Sequence, residues 1–364
     1  MLIGSVPATT IPAELRSLAR EFQLGGVILF ARNIEAPEQV AELSQDLQSL
    51  GAELPLWVSV DQEGGRVARL RAPFTEWPPM AALGRSGDAA LASRFAVALA
   101  AELKAVGITL DYAPVLDIHT NPKNPVIGDR ALADDAALVG TLGAAIVRGL
   151  QDNGVAACGK HFPGHGDTSV DSHHDLPIVE HPPDRIRRVE CVPFREAIRA
   201  DVAFIMTAHL LVPSLDEEKP ATLSRRIVYG LLREELGFDG VILSDDLEME
   251  ALAKSYTVPE AAVQAIAAGC DGVLVCRARV GDRSQDIQVQ AAVLEALVHA
   301  VEDGRIPYKR LEDALSRHRR AKERFLAVAG RGLTPRQAGR TGPRYAILGC
   351  DQHRRIADEM ARYA

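Results

Sequence analysis

The sequence predicts an α/β protein, a TIM-type (β/α)8 barrel in a single catalytic domain, and three observations point to it. Eight short runs rich in Val, Ile and Leu recur along the 364 residues. None alternates apolar with polar residues, as expected of parallel strands buried on both faces. Longer amphipathic stretches separate the runs, and eight β-then-α units in about 300 residues match the size of such a barrel. A doubly wound open sheet is the rival fold, but the GxGxxG turn expected after its first strand is missing.

In chain order the predicted strands are Leu2–Gly4, Gly26–Phe30, Leu56–Val60, Ile108–Tyr112, Val155–Gly159, Val202–Met206, Gly240–Leu243 and Gly272–Val275. Between the second and third, Val40, Leu43, Leu47 and Leu50 share one face of a helix expected from Pro37 to Leu50. Before the fourth, Leu91, Phe95, Leu99 and Leu103 repeat every four residues and stop at Gly107, a C-terminal signal. The barrel is expected over residues 1–329. Near Gly330 to Arg344 the composition shifts to Gly, Arg, Pro and Thr, and residues 330–364 read as a short C-terminal appendage. Within it Tyr345–Gly349 looks strand-like and Gln352–Tyr363 helix-like.

Composition narrows the function classes. The chain is 47% apolar and 25% charged, an ordinary globular balance, with 41 Lys and Arg against 49 Asp and Glu. A net charge of −8 and the lack of a basic stripe with interleaved aromatics argue against nucleic acid as a partner. No window is long and apolar enough to predict a membrane span, and the amino end lacks the basic and apolar regions of an export signal. Five scattered cysteines in no metal-binding spacing suit reduced thiols. A cytoplasmic protein, monomeric and free of cofactors, is the expectation.

A TIM barrel places its chemistry where strands end at the C-terminal face. Reactive residue types stand there: Asp61 after the third run, Lys160 and His161 after the fifth, His209 after the sixth, and Ser244-Asp245-Asp246 after the seventh. Charged groups at buried strand ends are costly without a partner or a function.

Five of the ten histidines fall between His161 and His181, around Gly159-Lys160-His161-Phe162-Pro163-Gly164-His165-Gly166 and Asp171-Ser172-His173. A solvated polar loop is the plain reading. Zinc is another, yet Phe162-Pro163-Gly164 breaks any helix that would align His161 with His165, and no His-x-His pair ends the first strand. A third is a dyad, Asp171 orienting His173 so that the ring gives and takes a proton near neutral pH. Asp245 either helps to cap the following helix or acts as a nucleophile toward an acetal carbon. In Asp61-Gln62-Glu63-Gly64-Gly65-Arg66-Val67 the glycines permit close backbone approach and Asp61 can accept from sugar hydroxyls; an Asp–Arg pair closing a loop is the alternative.

Together with Asn121-Pro122-Lys123-Asn124-Pro125-Val126-Ile127-Gly128-Asp129-Arg130 and Gly237-Phe238-Asp239-Gly240-Val241-Ile242-Leu243-Ser244-Asp245, these motifs resemble glycoside hydrolase family 3, and more closely its single-domain bacterial β-N-acetylglucosaminidases. The resemblance runs from about Gly25 to Cys276. It implies a retaining hydrolase with Asp245 as nucleophile, His173 as acid/base and Asp171 as that histidine's partner. It also implies that Asp61, Arg69, Arg130, Lys160 and His161 bind a terminal N-acetylglucosamine, with no metal. The implied substrate is a carbohydrate, a 1,6-anhydro-muramyl fragment of the cell wall. Phosphorolysis by a phosphorylase of the same family, and a sugar-binding protein without turnover, are the alternatives.

Overall fold

The computed structural model describes residues 1–169, 172, 176–276, 286–326 and 343–364. Eight parallel strands close on themselves. They are β1 (Leu2–Ser5), β2 (Gly26–Leu29), β3 (Trp57–Val60), β4 (Leu110–Asp111), β5 (Ala156–Phe162), β6 (Phe204–Thr207), β7 (Val241–Asp246) and β8 (Gly272–Leu274). The barrel shuts where Leu2 pairs with Val273 and Ile3 with Leu274. All eight expected strands are present.

Burial on both faces explains their continuous apolar sequences. Ile3, Ile28, Trp57, Leu110, Phe204, Val241 and Leu243 fill the interior, where Trp57 meets Phe204 edge-on at 5.2 Å. The residues between them, such as Leu2, Val27, Val58, Ile205, Ile242 and Val273, pack outward against the helices. One strand therefore needs apolar side chains at every position, which an alternating pattern would not supply.

The helix of Ala89–Ala105 begins where the Asp88 carboxylate accepts from the Ala90 and Leu91 N–H groups, and the chain turns away at Gly107 with φ 78°. The Pro37–Gln48 helix buries Val40, Leu43 and Leu47, while Leu50 lies beyond its end. Among the described residues no helix is long and apolar enough to cross a membrane.

Two strands depart from regular pairing at the mouth. Between β5 and β6, Gly159 pairs with Ile205 and Phe162 with Thr207, so β5 holds one extra residue in the segment containing Lys160 and His161. Between β7 and β8, Leu243 pairs with Gly272 and Asp246 with Leu274, so β7 holds one extra in the segment containing Ser244 and Asp245. Such bulges redirect side chains locally.

The floor of the barrel is closed by the helix Tyr308–Phe325. Phe325 reaches Trp57, His318 Nε2 donates to the Asp271 carbonyl at 3.0 Å, and Lys322 is buried one turn further on.

The strand expected at Tyr345–Gly349 is a correction: a 3-10 turn spans Pro343–Ile347 and a helix spans Asp351–Ala361. A closed barrel offers no free edge for another strand, and Gly349 at φ 53° leaves extended geometry. This segment docks through Glu102, which is buried and accepts from Thr75 N, Thr75 Oγ1, Gly349 N and His353 Nδ1 at 2.6–3.0 Å.

Candidate active site

The site grows from the C-terminal ends of β3, β5 and β7. After β3 the chain makes a small antiparallel hairpin, Gln62–Gly64 with Val67–Ala68, turning at Gly64 and Gly65 with φ 111° and 55°. Gln62 N donates to Asp111 Oδ1 at 2.9 Å, and Gln62 Oε1 accepts from Arg69 N and Leu70 N. This fixes Asp61 and Glu63 on either side of Gln62.

Lys160 lies between those two carboxylates, 2.8 Å from Asp61 Oδ1 and 2.6 Å from Glu63 Oε1. Arg130 binds Glu63 through two bonds of 2.8 Å, and Arg69 Nη2 reaches Asp61 Oδ2 at 3.2 Å. Burial alone would raise both carboxyl pKa values. The adjacent cations win, Lys160 and Arg69 for Asp61, Arg130 and Lys160 for Glu63, and hold both below the usual range. Burial would likewise discharge Lys160, but Asp61 and Glu63 keep it firmly charged. Three cations against two anions form one wall of rigid donors.

Asp117 builds the neighbouring wall. Its buried carboxylate accepts His161 Nδ1 at 2.7 Å and the backbone N–H groups of His161 and His165 at 3.2 and 2.6 Å. Burial opposes its charge, but His161 and these bonds hold it ionised. With Nδ1 engaged, His161 turns its other edge to the cavity.

Asp61, Arg69, Arg130, Lys160, His161 and Asp245 line one cavity at the barrel mouth, so the structure brings together all five expected sugar-contacting residues and the expected nucleophile. Phe30, Tyr112, Met206, Met249 and Cys276 add apolar surface to the same lining. Asp171 and His173 lie outside the described residues. Ser172 between them lines the same cavity.

Several alternatives resolve. Ser244 Oγ accepts from Leu274 N and Asp245 Oδ1 from Asp246 N, and the next helix, Glu250–Ala253, starts without a side-chain cap, so neither residue caps it. Asp61 does pair with an arginine, Arg69, yet both still face the cavity; Arg66 pairs instead with Asp129. Both ring nitrogens of His165 are occupied by Thr168 and Ser172 hydroxyls at 2.7 and 3.1 Å. His209 is structural: fully buried, it bonds Thr222 Oγ1 at 2.8 Å and the Asp246 carbonyl at 2.9 Å.

Glu63, Asp117 and His165 are site residues that the strand-end rule does not single out. Glu63 sits inside a glycine-rich motif that reads as backbone geometry. Asp117, in Val115-Leu116-Asp117-Ile118, carries a usable signal: an acid inside an apolar run needs a partner.

Residues 4–321 match the family described as "Glycosyl hydrolase family 3 N terminal domain". A Beta-hexosaminidase from Thiobacillus denitrificans is 44% identical over 281 residues, 76% of this chain and 77% of that protein. Beta-hexosaminidase A from Pseudoalteromonas piscicida is 35% identical over 374 residues, 97% of this chain; the chain spans 60% of that relative's length. Among solved structures, a glycoside hydrolase family 3 β-N-acetylglucosaminidase from Paenibacillus sp. str. FPU-7 superposes with a TM-score of 0.91 at 43% identity, covering 100% of this chain and 67% of the other.

Proposed function

Given that the chain belongs to glycosyl hydrolase family 3, we propose that it is a retaining exo-β-N-acetylglucosaminidase that removes a terminal N-acetylglucosamine from 1,6-anhydro-muramyl cell-wall fragments. The observation that carries this reading is the shared cavity of Asp245 with Asp61, Arg69, Arg130, Lys160 and His161. Asp61 accepts from sugar hydroxyls, while Arg69, Arg130, Lys160 and His161 donate to sugar oxygens.

In the first step an Asp245 carboxylate oxygen bonds to the anomeric carbon as the glycosidic C–O bond breaks, and His173 gives its proton to the leaving oxygen. In the second, water bonds to the anomeric carbon, the Asp245–sugar bond breaks, and His173 recovers the proton. Asp171 holds the imidazole in the required tautomer. A histidine becomes neutral on giving up its proton, and so avoids the like-charge repulsion that a second, ionised carboxylate beside Asp245 would suffer. Five free thiols suit a reducing compartment, and we assign the enzyme to the cytoplasm.

The test is covalent trapping with a slow 5-fluoro N-acetylglucosamine donor, which keeps the 2-acetamido group and lets the intermediate accumulate. A label on Asp245 supports the reading; a label elsewhere, or none, removes it. Turnover with added phosphate, watched for sugar 1-phosphate, separates hydrolysis from phosphorolysis.

A further inference from the structure

Ser172 is 2% exposed, although serine is usually a surface residue, and its hydroxyl and its carbonyl are both held. Its hydroxyl lies 3.1 Å from His165 Nε2, and its carbonyl accepts from Ala251 N at 3.2 Å. These two partners belong to separately anchored parts of the mouth. His165 is tied through its backbone N–H to Asp117, through Nδ1 to Thr168 and through its carbonyl to Asn124 Nδ2 at 2.8 Å. Ala251 lies in the short helix that follows β7, the strand bearing Asp245. Ser172 therefore joins the wall organised by Asp117 to the segment beyond Asp245.

We propose that His165 and Ser172 are a positioning pair that sets the proton-transferring residues relative to Asp245; this rests on the reading of His173 as acid/base. Residues 171 and 173 are each one peptide bond from Ser172, one before it and one after, a Cα separation of about 3.8 Å, so an anchor on Ser172 acts directly on both neighbours. Proton transfer requires heavy atoms about 2.6–3.2 Å apart, and a displacement of about 1 Å costs on the order of a hundredfold. His165 suits the task because it stays neutral: burial pushes its pKa down to about 4. In either neutral tautomer one ring nitrogen donates and the other accepts, and the Thr168 and Ser172 hydroxyls complement either arrangement.

A positioning role and a sugar-contacting role differ in which parameter they move. In the full-length chain, Ser172→Ala and His165→Ala are compared with His173→Ala on phenyl and 2,4-dinitrophenyl N-acetylglucosaminides. The expected kcat/KM loss is about tenfold or more on the phenyl substrate and about threefold or less on the dinitrophenyl one, whose departure needs little protonation. Inhibition by free N-acetylglucosamine stays at its wild-type strength, and Ser172→Thr, which keeps the hydroxyl, restores most of the phenyl activity. Equal losses on both substrates, or none, while His173→Ala still discriminates between them, overturn the pair. If His173→Ala fails to discriminate, the acid/base reading falls, and the pair with it.

Discussion

Lys160 Nζ and Glu63 Oε1 lie 2.6 Å apart, with the two side chains only 3% and 1% exposed. Neither could be charged there alone, because the desolvation cost of each ion is several kcal/mol and is offset by the opposite charges around it, Arg130 and Lys160 for Glu63, Asp61 and Glu63 for Lys160. The wall proposed to face the sugar is therefore built on mutual dependence, and single substitutions in it are expected to be severe.

Lys160→Met leaves Asp61 without its shorter ion pair and Glu63 with Arg130 alone. A loss of about 3–5 kcal/mol is expected from urea midpoints, together with loss of N-acetylglucosamine binding by calorimetry. Glu63→Gln keeps the shape and one acceptor, and should cost less.

Lys322 gives the opposite sign. Burial lowers its pKa from 10.5 to about 8, so the unfolded chain binds its proton more tightly than the folded one. The resulting penalty is complete below about pH 8 and disappears as the pH rises toward 10.5. Lys322→Met should stabilise the protein at pH 7, by up to about 3 kcal/mol, and its advantage should shrink by pH 10. Thermal melts of both proteins across that range check it.

Glu102 is the hub of C-terminal docking. Glu102→Ala strips partners from Thr75, Gly349 and His353 at once, each worth about 1–3 kcal/mol when left buried and unpaired. Amide exchange in 351–361 should accelerate well before the barrel unfolds. His353→Ala, which removes one bond, should show the same pattern more weakly.

Gly84 tests a route from helix to site. A Cβ built there would lie 1.4 Å from the Leu132 carbonyl oxygen, backbone that cannot rotate aside. Gly84→Ala must push the segment two residues beyond Arg130, and should cost about 3 kcal/mol and raise KM several-fold. Unchanged melting and KM would refute it.

Much of this was legible in the sequence because strand burial and strand-end chemistry leave local marks. The runs at Gly26–Leu29 or Val241–Leu243 are apolar at every position; Asp61 and Lys160 follow such runs directly and Asp245 one residue later. The extra residues in β5 and β7 left no such mark: a bulge is a mismatch between two strands, and neither sequence alone encodes it. Lys322 and His318 were hidden for another reason. The helix Tyr308–Phe325 is so rich in arginine and lysine that composition places the whole of it in water, whereas its inner face closes the barrel floor. Asp117 carries a local signal as an acid inside an apolar run, but which groups it binds emerges only when the end of β5 and the chain beyond it come against it.

Because one carboxylate, Asp117, gathers the backbone N–H groups of both His161 and His165, the proposed sugar recognition and the root of the proposed proton-delivering loop share a foundation, while different side chains carry them. Engineers could exploit that separation. Swapping loop sequence downstream of His165 would retune tolerance for different aglycones while leaving the selected glycone untouched, whereas altering Asp117 would forfeit both traits at a stroke.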